Sequence, residues 1–132
     1  MLDLPLNWEG DMAGKILLIE DEPHIVEALS FLLEREGWQV VAHSNGADAA
    51  QVAALRQPDV IILDVMLPNK SGIEILREIR ANTQTAKKPV LMLTAKGQAR
   101  DRAAAQEAGV SVFMTKPFSN QAIIDTVRSL AQ

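Results

Sequence analysis

Val60-Ile61-Ile62-Leu63-Asp64-Val65-Met66-Leu67-Pro68 is the stretch that decides the fold. Its first four residues are apolar without polar alternation, the pattern of a strand covered on both faces. An aspartate follows at once, and Pro68 bars an immediate helical continuation. The unit implied is a buried parallel strand with a carboxylate at its exit. Similar runs stand at Ile16-Leu17-Leu18-Ile19, Val90-Leu91-Met92-Leu93 and Val112-Phe113-Met114, read likewise as strands buried on both faces. Trp38 to His43 is more polar and reads as an edge strand.

Helical patterns separate these runs. Pro23 suits a first helical turn; Ile25, Val26, Leu29, Leu32 and Leu33 follow a 3.6-residue period, and Gly37 ends the helix. Ser44 or Asn45 can cap an alanine-rich second helix through Leu55. Ser71 can cap a third carrying Ile73, Leu76 and Ile79, and Ser119 a fifth carrying Ile123, Ile124, Val127 and Leu130. The fourth, from about Gln98 to Ala108, has only alanines as apolar residues and stops at Gly109. Five strand–helix units with short connections predict an α/β doubly wound parallel sheet with helices on both faces.

Composition narrows the function. The chain has 132 residues, no cysteine, two histidines and a formal net charge of −4. That length suits one domain. Without cysteine there is no disulfide, thiolate metal site or cysteine nucleophile, and His24 and His43 alone cannot make a three-histidine zinc site. A sequence pI of about 5.1 argues against nucleic-acid binding by this chain. No apolar run approaches the ~18 residues of a membrane helix, and the first residues lack signal-peptide features. A soluble cytoplasmic domain is the expectation. Residues 1–14 fall outside the repeating pattern and read as a mobile N-terminal extension, with an added edge strand or a partner contact as the alternative.

In open α/β sheets ligands bind beyond the carboxyl ends of the strands. The first strand exits into Glu20-Asp21-Glu22, the third into Asp64, the fourth into Thr94-Ala95 and the fifth into Thr115-Lys116-Pro117. Crowded carboxylates repel unless a cation compensates. All-oxygen donors with room for water suit Mg²⁺ better than Ca²⁺. Lys116 adds a positive charge that fits an arriving anion, for which a phosphoryl group is the commonest candidate. Any one of these residues has a plain structural reading, a helix cap or a solvated lysine. Four at neighbouring strand exits point to a site.

The constellation resembles the receiver domain of two-component response regulators over residues 15–131. The matching pieces are Ile16 to Pro23, Val60 to Pro68 with Ser71-Gly72, Leu93-Thr94-Ala95 and Lys116-Pro117-Phe118. The resemblance implies a flavodoxin-like fold with strand order 2-1-3-4-5. It also implies Asp64 as phosphoacceptor from a phosphohistidine of a sensor histidine kinase or phosphotransfer protein. Mg²⁺ would be held by Asp21, Asp64 and the backbone carbonyl of Met66, with Glu20 acting through water. Lys116 matches the lysine that pairs with the phosphoryl oxygens. Thr94 and Phe113 match the switch pair, whose rearrangement alters a face built from the fourth helix, fifth strand and fifth helix. Output would pass through a downstream protein or an appended effector domain. This chain carries Glu20 in place of the commoner aspartate, and Phe113 where tyrosine is also common. Ser111 and Val112 replace the acidic pair of the winged-helix branch.

The main alternatives are a regulatory fragment of a longer regulator and a Mg²⁺-dependent phosphatase with an aspartyl-phosphate intermediate. The phosphatase needs a carboxylate two residues after the nucleophile, where this chain has Met66. A flavin site on the same fold would need a phosphate-cradling first loop, where Glu20-Asp21-Glu22 would repel the anion.

Overall fold

Parallel pairing of the apolar runs sets the architecture. A computed structural model describes residues 14–94, 99–115 and 117–132. Along the chain the elements are β1 (Gly14–Ile19), α1 (Pro23–Arg35), β2 (Trp38–His43), a 3₁₀ turn (Gly46–Asp48), α2 (Ala49–Arg56), β3 (Val60–Asp64), α3 (Gly72–Ala81), β4 (Val90–Thr94), α4 (Ala99–Glu107), β5 (Val112–Thr115) and α5 (Asn120–Leu130). The strands form one parallel sheet in the order β2-β1-β3-β4-β5, as the resemblance implies. The extension at residues 1–14 lies, up to residue 13, outside the described residues, as do Ala95, Lys96, the expected start of α4 at Gln98, and Lys116.

The side-chain period of two divides the interior into halves. Leu17, Ile19, Ile61, Leu63, Val90 and Met92 face α2, α3 and α4, meeting Ala49, Ala53, Ile75, Leu76, Ile79 and Ala105. Ile16, Leu18, Val60, Ile62, Leu91 and Leu93 face α1 and α5, meeting Leu29, Leu33, Ile123 and Val127. β1, β3 and β4 are therefore buried on both sides. β5 departs from the reading that groups it with them. It is the second edge of the sheet, and only Phe113 within it is buried. An edge strand has a neighbour on one side alone, and the run's hydropathy does not reveal position in the sheet.

The caps follow the sequence with two refinements. Ser71 Oγ accepts from the Glu74 N–H at 3.2 Å, and Glu74 Oε1 accepts from the Ser71 N–H at 3.2 Å, a full capping box on α3. Ser119 Oγ accepts from the Ala122 N–H at 3.0 Å at the start of α5. Asn45, not Ser44, makes the cap before α2: its Oδ1 accepts from the Ala47 N–H at 2.9 Å. That bond starts the 3₁₀ turn, so α2 proper begins only at Ala49. The α1 N-cap is Glu22, with no side-chain cap bond, so Asp21 is not consumed as a helix cap.

At the end of the sheet opposite the strand exits, Arg80 stitches three segments together. Its guanidinium donates to the carbonyls of Gly109 at 2.8 Å, Ala86 at 3.2 Å and Lys88 at 2.6 Å. Ser111 Oγ accepts there from the Val90 N–H at 2.9 Å and from Arg80 at 3.4 Å. Burial pushes the Arg80 guanidinium down from its usual range.

Leu33 is fully buried between α1 and the sheet. Leu33→Ala is expected to lower unfolding free energy by about 2–5 kcal/mol in urea titration; a loss under about 1 kcal/mol would show that this face is not close-packed.

Candidate functional site

Adjacent parallel strands end side by side, so whatever follows them in sequence meets in space. Ile19 pairs with Leu63, and Asp64 with Leu93. Glu20 therefore emerges beside Asp64. Ligand oxygens of Glu20, Asp21 and Asp64 all lie within 4.8 Å of one another. They open into a cleft of about 280 Å³ whose walls include Met66, Thr94 and Phe118.

Each carboxylate is held differently. Glu20 is 4% exposed, and its Oε2 accepts from the N–H groups of Asp21 and Glu22, each at 3.1 Å. This bends the chain after β1 and aims the acid into the cleft. Burial, joined by the negative charges of Asp64 and Asp21, pushes the Glu20 carboxyl up to about 7, against the lowering effect of the Glu22 N–H. Asp21 is exposed and Asp64 is half-buried. Asp64 Oδ1 accepts from the Met66 N–H at 3.2 Å, which ties the carboxylate to the turn that follows it.

That turn depends on Gly72. Its N–H donates to the Val65 carbonyl at 2.9 Å. A Cβ at this position would overlap the Asp64 carbonyl oxygen and lie 2.9 Å from Val65 Cα. Both are backbone atoms, so no side-chain rotation can relieve the overlap. Ser71 then starts α3, and the acceptor turn is fixed at both ends.

Of the residues singled out in the sequence, the structure brings Glu20, Asp21, Asp64, Met66 and Thr94 together around this cleft. Thr94 is the last residue of β4 and is 2% exposed. Met66 is 73% exposed at the mouth. Phe113 is not part of the wall: it sits on β5, buried, beneath the guanidinium of Arg102 at 4.8 Å from the ring centroid. Lys116 lies outside the described residues. Sequence reasoning missed the double hydrogen bond that fixes Glu20, the Arg102 contact and the Arg80 stitch. Each joins residues whose proximity depends on the fold or on a turn geometry without a sequence signature. Gly72 was quoted in the matching motif, but its cause, backbone crowding against Asp64, is tertiary.

A doubly wound sheet with an acidic cleft at its carboxyl end defines a class of α/β domains that bind their ligands beyond the strand exits. The comparisons are specific. The sequence pattern of the response regulator receiver domain matches residues 16–128, and the chain belongs to that family. It is 41% identical over 119 residues to the alkaline phosphatase synthesis transcriptional regulatory protein PhoP of Bacillus subtilis, covering 90% of this chain and 49% of PhoP. It is 39% identical over 115 residues to the "probable transcriptional regulatory protein TcrX" of Mycobacterium tuberculosis, covering 87% and 48%. The chain thus spans about half the length of these two relatives. Among solved structures, the BeF3-activated N-terminal receiver domain of Klebsiella pneumoniae RstA superposes with a TM-score of 0.83 at 26% identity, covering 89% of this chain and 98% of that one. The receiver domain of sensor histidine kinase PA1611 from Pseudomonas aeruginosa, with a magnesium ion in its active-site cleft, gives 0.83 at 29% identity, covering 89% and 97%. Receiver domains are signalling switches, and no helix among the described residues is long and apolar enough to cross a membrane.

Two outcomes follow from the geometry. Gly72→Ala should destabilise the fold by about 1–3 kcal/mol in chemical denaturation, because backbone must move; a neutral substitution would mean that the β3–α3 turn yields freely. The second concerns pH. The folded Glu20 carboxyl titrates near 7 and its ordinary value is 4.5. Between those values the folded state therefore holds the extra proton, and metal-free protein should lose stability as pH rises through this window. Glu20→Gln should flatten that loss in thermal melts taken with chelator; an unchanged slope would assign the pH dependence elsewhere.

Proposed function

We propose that Asp64 is the phosphoacceptor of a Mg²⁺-dependent signalling switch. The observation that carries this reading is the convergence of Glu20, Asp21 and Asp64 oxygens within 4.8 Å. Three carboxylates packed so closely, one of them pushed toward its protonated form, are a poor resting arrangement and a good hard-cation site. The donor set fits Mg²⁺: Asp21, Asp64 and the Met66 carbonyl as direct ligands, with Glu20 acting through water. A bound Mg²⁺ would supply charge neutralisation for the transferring oxygens.

The chain's own residues do the rest. An Asp64 carboxylate oxygen attacks phosphorus; the new P–O bond forms as the P–N bond to a partner's phosphohistidine breaks, and that bond's electron pair returns to the imidazole. The Met66 N–H holds Asp64 in position while Asp21 stays free of any cap, available to a cation. Lys116 would pair with the phosphoryl oxygens and Thr94 would donate its hydroxyl to one of them. The product carries about two negative charges and three acceptors, which draws Thr94 and Lys116 inward. A state that gains those contacts is favoured over one that does not, and a coupling of about 1–3 kcal/mol is typical of such switches.

The donor is a sensor histidine kinase or phosphotransfer protein, and the setting is the cytoplasm, where such donors present their phosphohistidine. Residues 15–131 form the switch, and 1–14 are an extension of it. The half-length match to two transcriptional regulators supports a second reading of the output, an effector domain joined to this switch in place of a separate partner. A phosphatase reading remains weak because Met66 offers no acid or base.

Incubation with Mg²⁺ and acetyl phosphate should add one hydroxylamine-sensitive phosphoryl group by intact-mass spectrometry, and Asp64→Asn should abolish it. Labelling that persists in Asp64→Asn would move the acceptor elsewhere. Asp21→Ala should weaken Mg²⁺ binding at least ~10-fold by titration calorimetry, whereas wild-type affinity would refute the metal assignment.

A further inference from the structure

α4 is the helix least anchored to the sheet. Among its described side chains only Ala105 is fully buried, and its ion pair to α3, Arg77 with Glu107, is exposed and spans 4.0 Å. An apolar stripe ordinarily holds a surface helix in place, and this helix has alanines there instead. One long side chain makes a directed contact inward. The Arg102 guanidinium lies over the Phe113 ring, 4.8 Å from its centroid. The ring beneath is 8% exposed and packs in the same core half as Met92 and Ala105.

The position of that ring ties it to the cleft. Phe113 pairs with Met92 and Thr115 with Thr94, so Thr94 and Phe113 are neighbours diagonally across β4 and β5. With a side-chain period of two they share one face of the sheet, the face that α4 covers. A cation over an aromatic face is attracted by the ring quadrupole only while ring and cation stay stacked. The contact therefore favours the buried ring and the present seat of α4 together, and loses its value when either moves.

We propose that Arg102 is a positioning residue that clamps Phe113 in its buried orientation and makes α4 respond to that ring. The clamp stands on the Arg102–Phe113 geometry; its part in signalling rests on the reading of Asp64 given above. Substitutions at 102 should shift the ring's orientation and uncouple α4 while leaving phosphoryl chemistry intact, because Arg102 touches no cleft residue in the contacts described.

The chain has three phenylalanines, so a ¹³C-phenylalanine label gives ring signals that single substitutions assign. Exposure of the Phe113 ring to a soluble paramagnetic agent then reports its buried-to-exposed ratio. Arg102→Met keeps a long stem and removes the charge; it should lower that ratio about 2- to 5-fold. Arg102→Lys should lower it less, and Arg100→Met, an exposed neighbour on the same helix, should not. An unchanged ratio in Arg102→Met, or an equal fall in Arg100→Met, overturns the clamp. With Mg²⁺ and acetyl phosphate, backbone amide shifts in α4 should move in the wild type and move at most about half as far in Arg102→Met at equal Asp64 labelling. An equal α4 response in both proteins overturns the signalling part. If Asp64 does not label but Arg102→Met still shifts the ring, the acceptor assignment fails and the clamp stands.

Discussion

Mutual repulsion among Glu20, Asp21 and Asp64 is the constraint on which the rest of this molecule turns. Two adjacent parallel strands deliver these carboxylates to one point, and one of them, Glu20, is only 4% exposed. Such a cluster stores unfavourable energy that a bound cation would relieve. The scaffold withstands the repulsion because β1, β3 and β4 are buried on both faces and the turns after β1 and β3 are held by backbone N–H groups that donate to the Glu20 and Asp64 carboxylates. A softer frame would let the acids drift apart, and the preference for a cation would vanish with them.

The remainder of the structure divides between rigidity and response. α1, α3 and α5 are pinned by apolar side chains and, for α3 and α5, by serine caps. The Arg80 stitch fastens the end of the sheet away from the cleft. α4 differs: among its described side chains one alanine is fully buried and one arginine lies over a ring. Low local stability is where a switching element is expected, since a small differential contact can then shift its population. The contrast between anchored and loosely held helices is thus set by side-chain size along each helix.

Membership of the receiver family was legible because the decisive signals are local. Asp64 at the end of four apolar residues, Glu20-Asp21-Glu22 after another such run, and Ser71-Gly72 before a helical period can all be read without a fold. The grouping of β5 with the doubly buried strands failed for a related reason: Val112-Phe113-Met114 has the hydropathy of an interior strand, and its exposure comes from standing last in the sheet. The choice between Ser44 and Asn45 was likewise open until backbone geometry selected Asn45.

What the sequence by itself determined is the element order, the acidic, hydroxyl and lysine residues at the strand exits, and the helix caps at Ser71 and Ser119. These depend on periodicity and on neighbours within a few residues. Only the tertiary structure decided that three carboxylates separated by up to 44 positions share a 4.8 Å cluster. It alone placed Arg102 over Phe113, Arg80 across three segments and Gly72 against the Asp64 backbone. Those contacts depend on which strands lie side by side and how closely their turns approach. Distance in space, not spacing along the chain, sets their energies.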